Sequence, residues 1–346
     1  MAPVAIDERP APPKYHEPVQ GTVYHGDGRE EALLKHLQSL PELQNNPGTQ
    51  PVLDAIHEFG KGENRYLMSV GDTKGTGIEK LINEKKPKVS GQARVGADIA
   101  GLITSGLMKL VLELGSYVGY SAICFARHLP KLHPDSIYPA NWTGDVNEDK
   151  AGYISLEKSE VYAATARGAL ELAGLGDVVK IVTGSSTPSL KNLRKTLNLP
   201  RPLKFDMVFI DHLKPLYTND LKVMEEEGLV APGTIIVADN VVKPGNPPYL
   251  SYVRATPAQK RAMLDRPPLK TQPATTPNPA DANDWETAFC DGPLEETLWT
   301  PDESDGVTGR GDPDLVYSSE MIGGWDPYTG ERDACEVSVC LRKESN

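Results

Sequence analysis

One stretch limits the folds open to this chain more than any other: Lys109-Leu-Val-Leu-Glu-Leu-Gly-Ser-Tyr-Val-Gly-Tyr-Ser121. The apolar run Leu110 to Leu114 has the length of a strand buried on both faces of a parallel sheet. A tight turn follows at Gly115, a second glycine stands at Gly119, and Tyr120 to Leu129 reads as a helix stopped by Pro130. Strand, glycine turn and helix are how α/β proteins bring backbone close to a nucleotide-like ligand. The spacing is G-x-x-x-G, not the G-x-G-x-x-G of dinucleotide binders. Glu113, at the strand end, would repel a pyrophosphate but suits the ammonium of an amino-acid ligand. That points to S-adenosylmethionine and away from NAD.

The pattern repeats downstream. Tyr153 to Glu157 is a second strand closed by an acid, the residue type that accepts from ribose hydroxyls. Val178 to Val182 is a third, followed by the turn Gly184, Ser185, Ser186, Thr187, well supplied with small donors for an adenine edge. Phe205 to Asp211 and Gly233 to Asn240 are two more, and helices are expected over Glu160–Ala173 and Leu216–Glu227. Ligands bind at the carboxyl ends of parallel strands, so Glu113, Glu157, Asp211, Asp239 and Asn240 should share one crevice. Two carboxylates and an amide oxygen are hard donors that suit Mg2+ better than zinc. Lys214, three residues past Asp211, can reach the same place as a base, and a neighbouring divalent cation would favour its neutral form.

With 346 residues, 39% of them hydrophobic, the chain can build one large α/β domain. A net charge of −12 argues against nucleic acid and anionic membrane as partners. The apolar stretch Val95 to Leu114 is broken by Asp98, Lys109 and Glu113, so no membrane span is expected. No signal peptide and no C-x-x-C spacing are evident, which suggests a reduced, cytoplasmic chain; Cys335 and Cys340 would point to opposite faces of one strand. Residues 1–28 read as a disordered tail, and 29–346 as one domain with insertions at about 86–108, 130–152 and 255–314. Helices are expected over Arg29–Gln44 and Gln50–Phe59. Tyr66 to Val70 should be extended, leading through a glycine-bounded loop to a helix from Gly77 to Lys85. Leu315–Glu320 and Cys335–Leu341 alternate like two strands joined through Gly323–Gly330 as an antiparallel hairpin.

Met68-Ser-Val-Gly-Asp-Thr-Lys-Gly75, Val111-Leu-Glu-Leu-Gly-Ser-Tyr-Val-Gly-Tyr-Ser121, Phe209-Ile-Asp-His-Leu-Lys214 and Ala238-Asp-Asn-Val-Val-Lys-Pro-Gly245 resemble the catechol O-methyltransferase family. The likeness runs in order from about Gln50 to Arg254 and resumes from Leu315. It implies the Rossmann-like methyltransferase fold: a seven-stranded, mostly parallel sheet with helices on both faces and an antiparallel last strand. It also implies S-adenosylmethionine as methyl donor, Mg2+ as activating ion and a small catechol-type substrate, in a chain expected to be monomeric. By the resemblance Met68, Val70, Glu113, Gly115, Tyr117, Ser121, Glu157, Gly184 to Thr187, Asp211 and His212 would hold the donor. Asp211, Asp239 and Asn240 would hold the metal, and Lys214 would take the proton from the attacking hydroxyl. Glu320 would fix the neighbouring hydroxyl, with Asn240, Tyr66, Leu213 and Pro244 lining the substrate. Leu213 and Tyr66 stand where the family has gate tryptophans, and Lys158 where it has a methionine on the adenine, so the substrate identity transfers less well than the chemistry. A bulkier phenylpropanoid or polyketide catechol is the alternative within enzymes. A non-catalytic S-adenosylmethionine-binding protein is the alternative outside them.

Overall fold

A computed structural model of the chain describes residues 25–45, 47–62, 65–83, 108–135, 137, 151–199, 202–264 and 307–344. Seven strands form one sheet in the order β3-β2-β1-β4-β5-β7-β6. These are β1 (Leu110–Leu114), β2 (Gly152–Glu157), β3 (Val179–Thr183), β4 (Met207–Ile210), β5 (Ile235–Ala238), β6 (Leu315–Trp325) and β7 (Arg332–Lys343). The first five run parallel, and β7 inserts antiparallel between β5 and β6. The strand order reverses at β1, so the crevice beyond its carboxyl end is the place where such sheets bind ligands. This is the Rossmann-like methyltransferase fold expected from the sequence.

Side-chain alternation along the strands divides the core in two. Val111, Tyr153, Phe209, Val237 and Val337 face one layer, made by α1 (Arg29–Ser39), α2 (Thr49–Gly60), α3 (Gly71–Asn83), α4 (Tyr120–Ala126) and α6 (Glu160–Leu172). Leu112, Ile154, Val208, Ile210 and Ile236 face the other, made by α7 (Ser186–Thr196), α8 (Tyr217–Glu226) and α9 (Pro247–Val253). Cys335 belongs to the first layer and Cys340 to the second, and both are free thiols, as expected of residues on opposite faces of β7.

Several boundaries differ from the sequence reading. The helix expected to run to Leu129 ends at Ala126, and Pro130 lies inside a further short helix, α5 (Leu129–Leu132), where proline in a first turn lacks only a donor the turn would not use. Helix α3 begins at Gly71, not Gly77, and includes Gly75 and Gly77. Its glycines mark close packing, not a loop: a Cβ at Gly77 would lie 2.8 Å from Ile322 on β6. Helix α7 was not read from the sequence, because Pro188 and three small residues resemble a turn; proline is tolerated there in the first turn. Strand β6 continues through Gly323 and Gly324 to Trp325, which moves the hairpin tip to residues 326–331. The segment called an insertion from 255 opens with α10 (Pro257–Leu264). Residues 1–24 of the tail and most of the three insertions lie outside the described residues. No helix among the described residues is long and apolar enough to cross a membrane.

Candidate active site

The β1–β2 side of the crevice is made of backbone. Gly115 (φ 95°) carries the chain off β1, its N–H donating to Leu156 O at 2.9 Å. A Cβ at this position would stand 2.4 Å from Asp211 O, so glycine is required twice, by the left-handed conformation and by the approach of the β4 loop. Tyr117 (φ 47°) then presents its N–H to Glu157 Oε2 at 2.8 Å, while Glu157 Oε1 accepts from Ser159 N at 2.8 Å. Burial pushes the Glu157 carboxyl above the ordinary range, and these backbone donors oppose the shift. The Tyr117 phenol donates to buried Glu30 at 2.9 Å, which ties the start of α1 to the turn.

Glu113 lies behind this surface and not in it. Its carboxyl accepts from Ser121 Oγ and Ser155 Oγ, each at 2.5 Å, and complete burial pushes it up to about 7. Thr187 is also turned inward. It donates to Asp220 Oδ1 at 2.5 Å, and Asp220 Oδ2 meets His212 Nε2 at 2.7 Å, so this chain of side chains orients the imidazole.

The β4–β5 side is made of side chains. Lys214 Nζ donates to Asp211 Oδ1 at 2.9 Å, to Asn240 Oδ1 at 2.8 Å and to Tyr217 Oη at 2.6 Å. Tyr217, fully buried and stacked on His212 at 5.1 Å, donates in turn to Asp239 O at 3.2 Å. Burial pushes Asp211 up to about 6 although Lys214 pulls the other way. Burial also acts on Asp239, but Lys74 and Lys214 outweigh it and hold its carboxyl below the usual value. Asn240 adopts the left-handed conformation (φ 58°) that asparagine tolerates, which turns its side chain back across the strand ends.

Both sides open into one cavity of about 780 Å³, within the range of small-molecule sites. Of the expected donor residues, Met68, Val70, Gly115, Tyr117, Ser121, Glu157, Gly184, Ser185, Ser186, Asp211 and His212 line it. So do Lys214, Asp239, Asn240, Tyr66, Leu213 and Pro244. Glu113 and Thr187 do not, for the reasons given above. Glu320 does not either: it is paired with Val337 in mid-β6, because that strand runs on further than its alternation suggested. The acids of the hairpin that reach the cavity are Asp326, which accepts from Tyr66 Oη at 3.1 Å, and Glu331 and Asp333. His25 and Tyr162 also line the wall without having been expected there, and no sequence pattern marked them.

Among the described residues no group of three or more His, Cys, Asp and Glu is placed to hold a metal. The oxygens of Asp211, Asp239 and Asn240 nevertheless suit Mg2+, which needs only one or two carboxylates beside waters and substrate oxygens. Asp211 Oδ1 and Asn240 Oδ1 both accept from Lys214 Nζ, so the two oxygens converge on one point.

The family described as a methyltransferase domain matches residues 112–241, from β1 to just past Asn240. Catechol O-methyltransferase of Mus musculus is 34% identical over 232 residues, 67% of this chain and 70% of that protein. Catechol O-methyltransferase B of Danio rerio is 33% identical over 232 residues, with the same shares. A probable O-methyltransferase of Mycobacterium tuberculosis is 31% identical over 234 residues, 66% of this chain and 80% of that protein. On the extent of these matches the chain belongs to the catechol O-methyltransferase family and is a methyltransferase.

Proposed function

We propose that the protein transfers a methyl group from S-adenosylmethionine to one hydroxyl of a catechol-type vicinal diol held on Mg2+, with Lys214 as general base. The observation that carries the reading is the joining of the two sides: one cavity is lined by the Gly115–Ser121 turn and Glu157 and also by Asp211, Lys214, Asp239 and Asn240. Glu157, held between Tyr117 N and Ser159 N, offers its remaining lone pairs to the ribose hydroxyls. Met68, 43% exposed at the mouth, and the Gly115 turn confine the methyl-bearing end. Asp211, Asp239 and Asn240 would hold Mg2+, whose charge would ease loss of a proton from the diol. Lys214 accepts that proton on Nζ, kept in place by Tyr217 and Asn240. Proximity of this kind is worth roughly 7–11 kcal/mol of a barrier. Tyr66, Leu213 and Pro244 form the outer wall, with Asp326 of the hairpin accepting from Tyr66.

Comparing catechol, its mono-methyl ether and phenol at saturating donor, with Mg2+ and with chelator, tests the reading. Catechol should be methylated only with metal, and the two monophenols should lose both binding and alignment. Equal kcat/KM for all three, or full activity in chelator, rejects it.

A further inference from the structure

Two buried groups beside the metal-binding oxygens take no part in the chemistry above. Lys74 lies in α3 and Asp333 in β7, 259 residues apart, yet their side chains meet at 2.7 Å. Lys74 is 2% exposed and Asp333 5%. A lysine so enclosed is costly unless it is paired, and its Nζ stands 2.7 Å from Asp239 Oδ1 as well. A ring closes through the next residue: Asn240 Nδ2 donates to Asp333 Oδ2 at 2.7 Å, and Asn240 N donates to Asp239 Oδ1 at 2.8 Å. Asp333 Oδ1 accepts from Lys243 N at 2.9 Å, which pins the loop that follows.

The ring decides two orientations. An asparagine amide has two ends of nearly equal shape, of which only the oxygen can ligate a cation. The Asp333 carboxylate, paired with Lys74, can only accept, so Asn240 must turn Nδ2 toward it and Oδ1 the other way, where Lys214 Nζ lies at 2.8 Å. Asp239 is treated similarly. Lys74 Nζ, Cys335 Sγ (3.0 Å) and Asn240 N all donate to Oδ1, which leaves Oδ2 for another partner.

We propose that Asp333 and Lys74 are positioning residues of the cation site: Asp333 sets which end of Asn240 faces the ion, and Lys74 sets which oxygen of Asp239 does. The inference rests on the Mg2+ reading above. Partners that orient metal ligands typically cost ten- to hundred-fold in metal affinity when lost.

Mn2+ is the probe, titrated into the full chain saturated with S-adenosylhomocysteine and followed by the paramagnetic signal of the free ion. Asp333→Asn should weaken Mn2+ binding roughly ten- to hundred-fold. Its S-adenosylhomocysteine affinity should stay within about two-fold of wild type, and excess Mg2+ should restore kcat. Asp333→Glu, which can still only accept, should recover part of the loss, a rescue that a merely structural role would not produce. A crystal structure of the wild-type protein with Mn2+ gives a reading that needs no variant. It should show the ion on Asn240 Oδ1 and Asp239 Oδ2, with Lys74 still on Oδ1. If wild type binds no Mn2+, the metal reading itself falls. If wild type binds and Asp333→Asn binds equally well, or the ion sits on Asp239 Oδ1 with Lys74 displaced, this inference falls and the metal reading stands.

Discussion

On the β1–β2 side of the crevice the turn and the one carboxylate beside it are held by backbone amides. On the β4–β5 side the groups that face the cavity are side chains held by other side chains. The first arrangement is local: strand, turn and helix follow one another within Leu110–Ala126, and Glu157 is brought in by the next strand. The second draws on α3, β4, β5 and β7, and its longest link spans 259 residues. A turn held by main-chain hydrogen bonds tolerates side-chain loss, because most of those bonds survive any one substitution. A ring of side chains does not, since each member satisfies two others. Damage on the first side should therefore weaken donor binding by steps, and damage on the second should stop turnover while the donor still binds.

The largest expected effect is at Lys214. Removing a general base typically costs 10²–10⁴-fold in rate, so Lys214→Ala should lose about that much kcat and keep its S-adenosylhomocysteine affinity, measured by calorimetry. A parallel loss of donor affinity would erase the contrast between the two sides.

Glu113 comes next, as a test of stability. Its carboxyl holds a proton up to about 7 in the folded chain, against a usual value of 4.5. The folded state therefore binds more protons between these values and loses stability as pH rises through them. Glu113→Gln removes that loss. Its unfolding free energy in the absence of donor, from denaturant titration, should match wild type near pH 4 and exceed it increasingly up to pH 7, by at most about 3 kcal/mol. A constant difference at all pH values would place the proton elsewhere.

Glu157→Ala should then cost donor affinity roughly 1.5–3 kcal/mol, the range for a hydrogen bond to a charged group, or about ten- to hundred-fold. Mn2+ binding to the same variant should be unchanged. The smallest effect is expected at Glu320, half-buried in mid-β6 and away from the cavity. Glu320→Gln should change kcat/KM for catechol by less than about two-fold, as substitutions away from packing and polar networks usually do. A hundred-fold loss would return it to the site.

What the sequence showed follows the same division. The glycine turn, Glu157, and the Asp211, Lys214, Asp239 and Asn240 cluster were legible, because each lies at the end of an apolar run whose period marks a strand. Lys74 and Asp333 were not. Neither sits in a pattern that distinguishes a buried ion pair from two solvated charges, and only the folding of α3 against the β6–β7 hairpin brings them together. Gly323 and Gly324 look like a turn, but in the structure they pair with Ala334 and Asp333 as ordinary ladder positions, and Glu320, placed at the substrate by resemblance, stands in mid-strand. Thr187 was read as part of a ligand-binding turn, but nothing in its neighbours announced that Asp220 would draw it inward.

The place of β7 has a consequence for how the protein is made. It is the last strand of the sheet to leave the ribosome, yet it lies between β5 and β6 and carries Asp333 to Asn240 and Cys335 to Asp239. A nascent chain that ends before it already contains the glycine turn, Glu157, Lys214 and Asp239. In that chain Lys74 has one carboxylate where the finished fold gives it two, and the Asn240 amide keeps Lys214 but lacks Asp333. The open edge of β5, with its unpaired N–H and C=O groups, awaits a partner. The last strand in chain order thus fixes, through Asp333 and Cys335, the side chains at the end of β5.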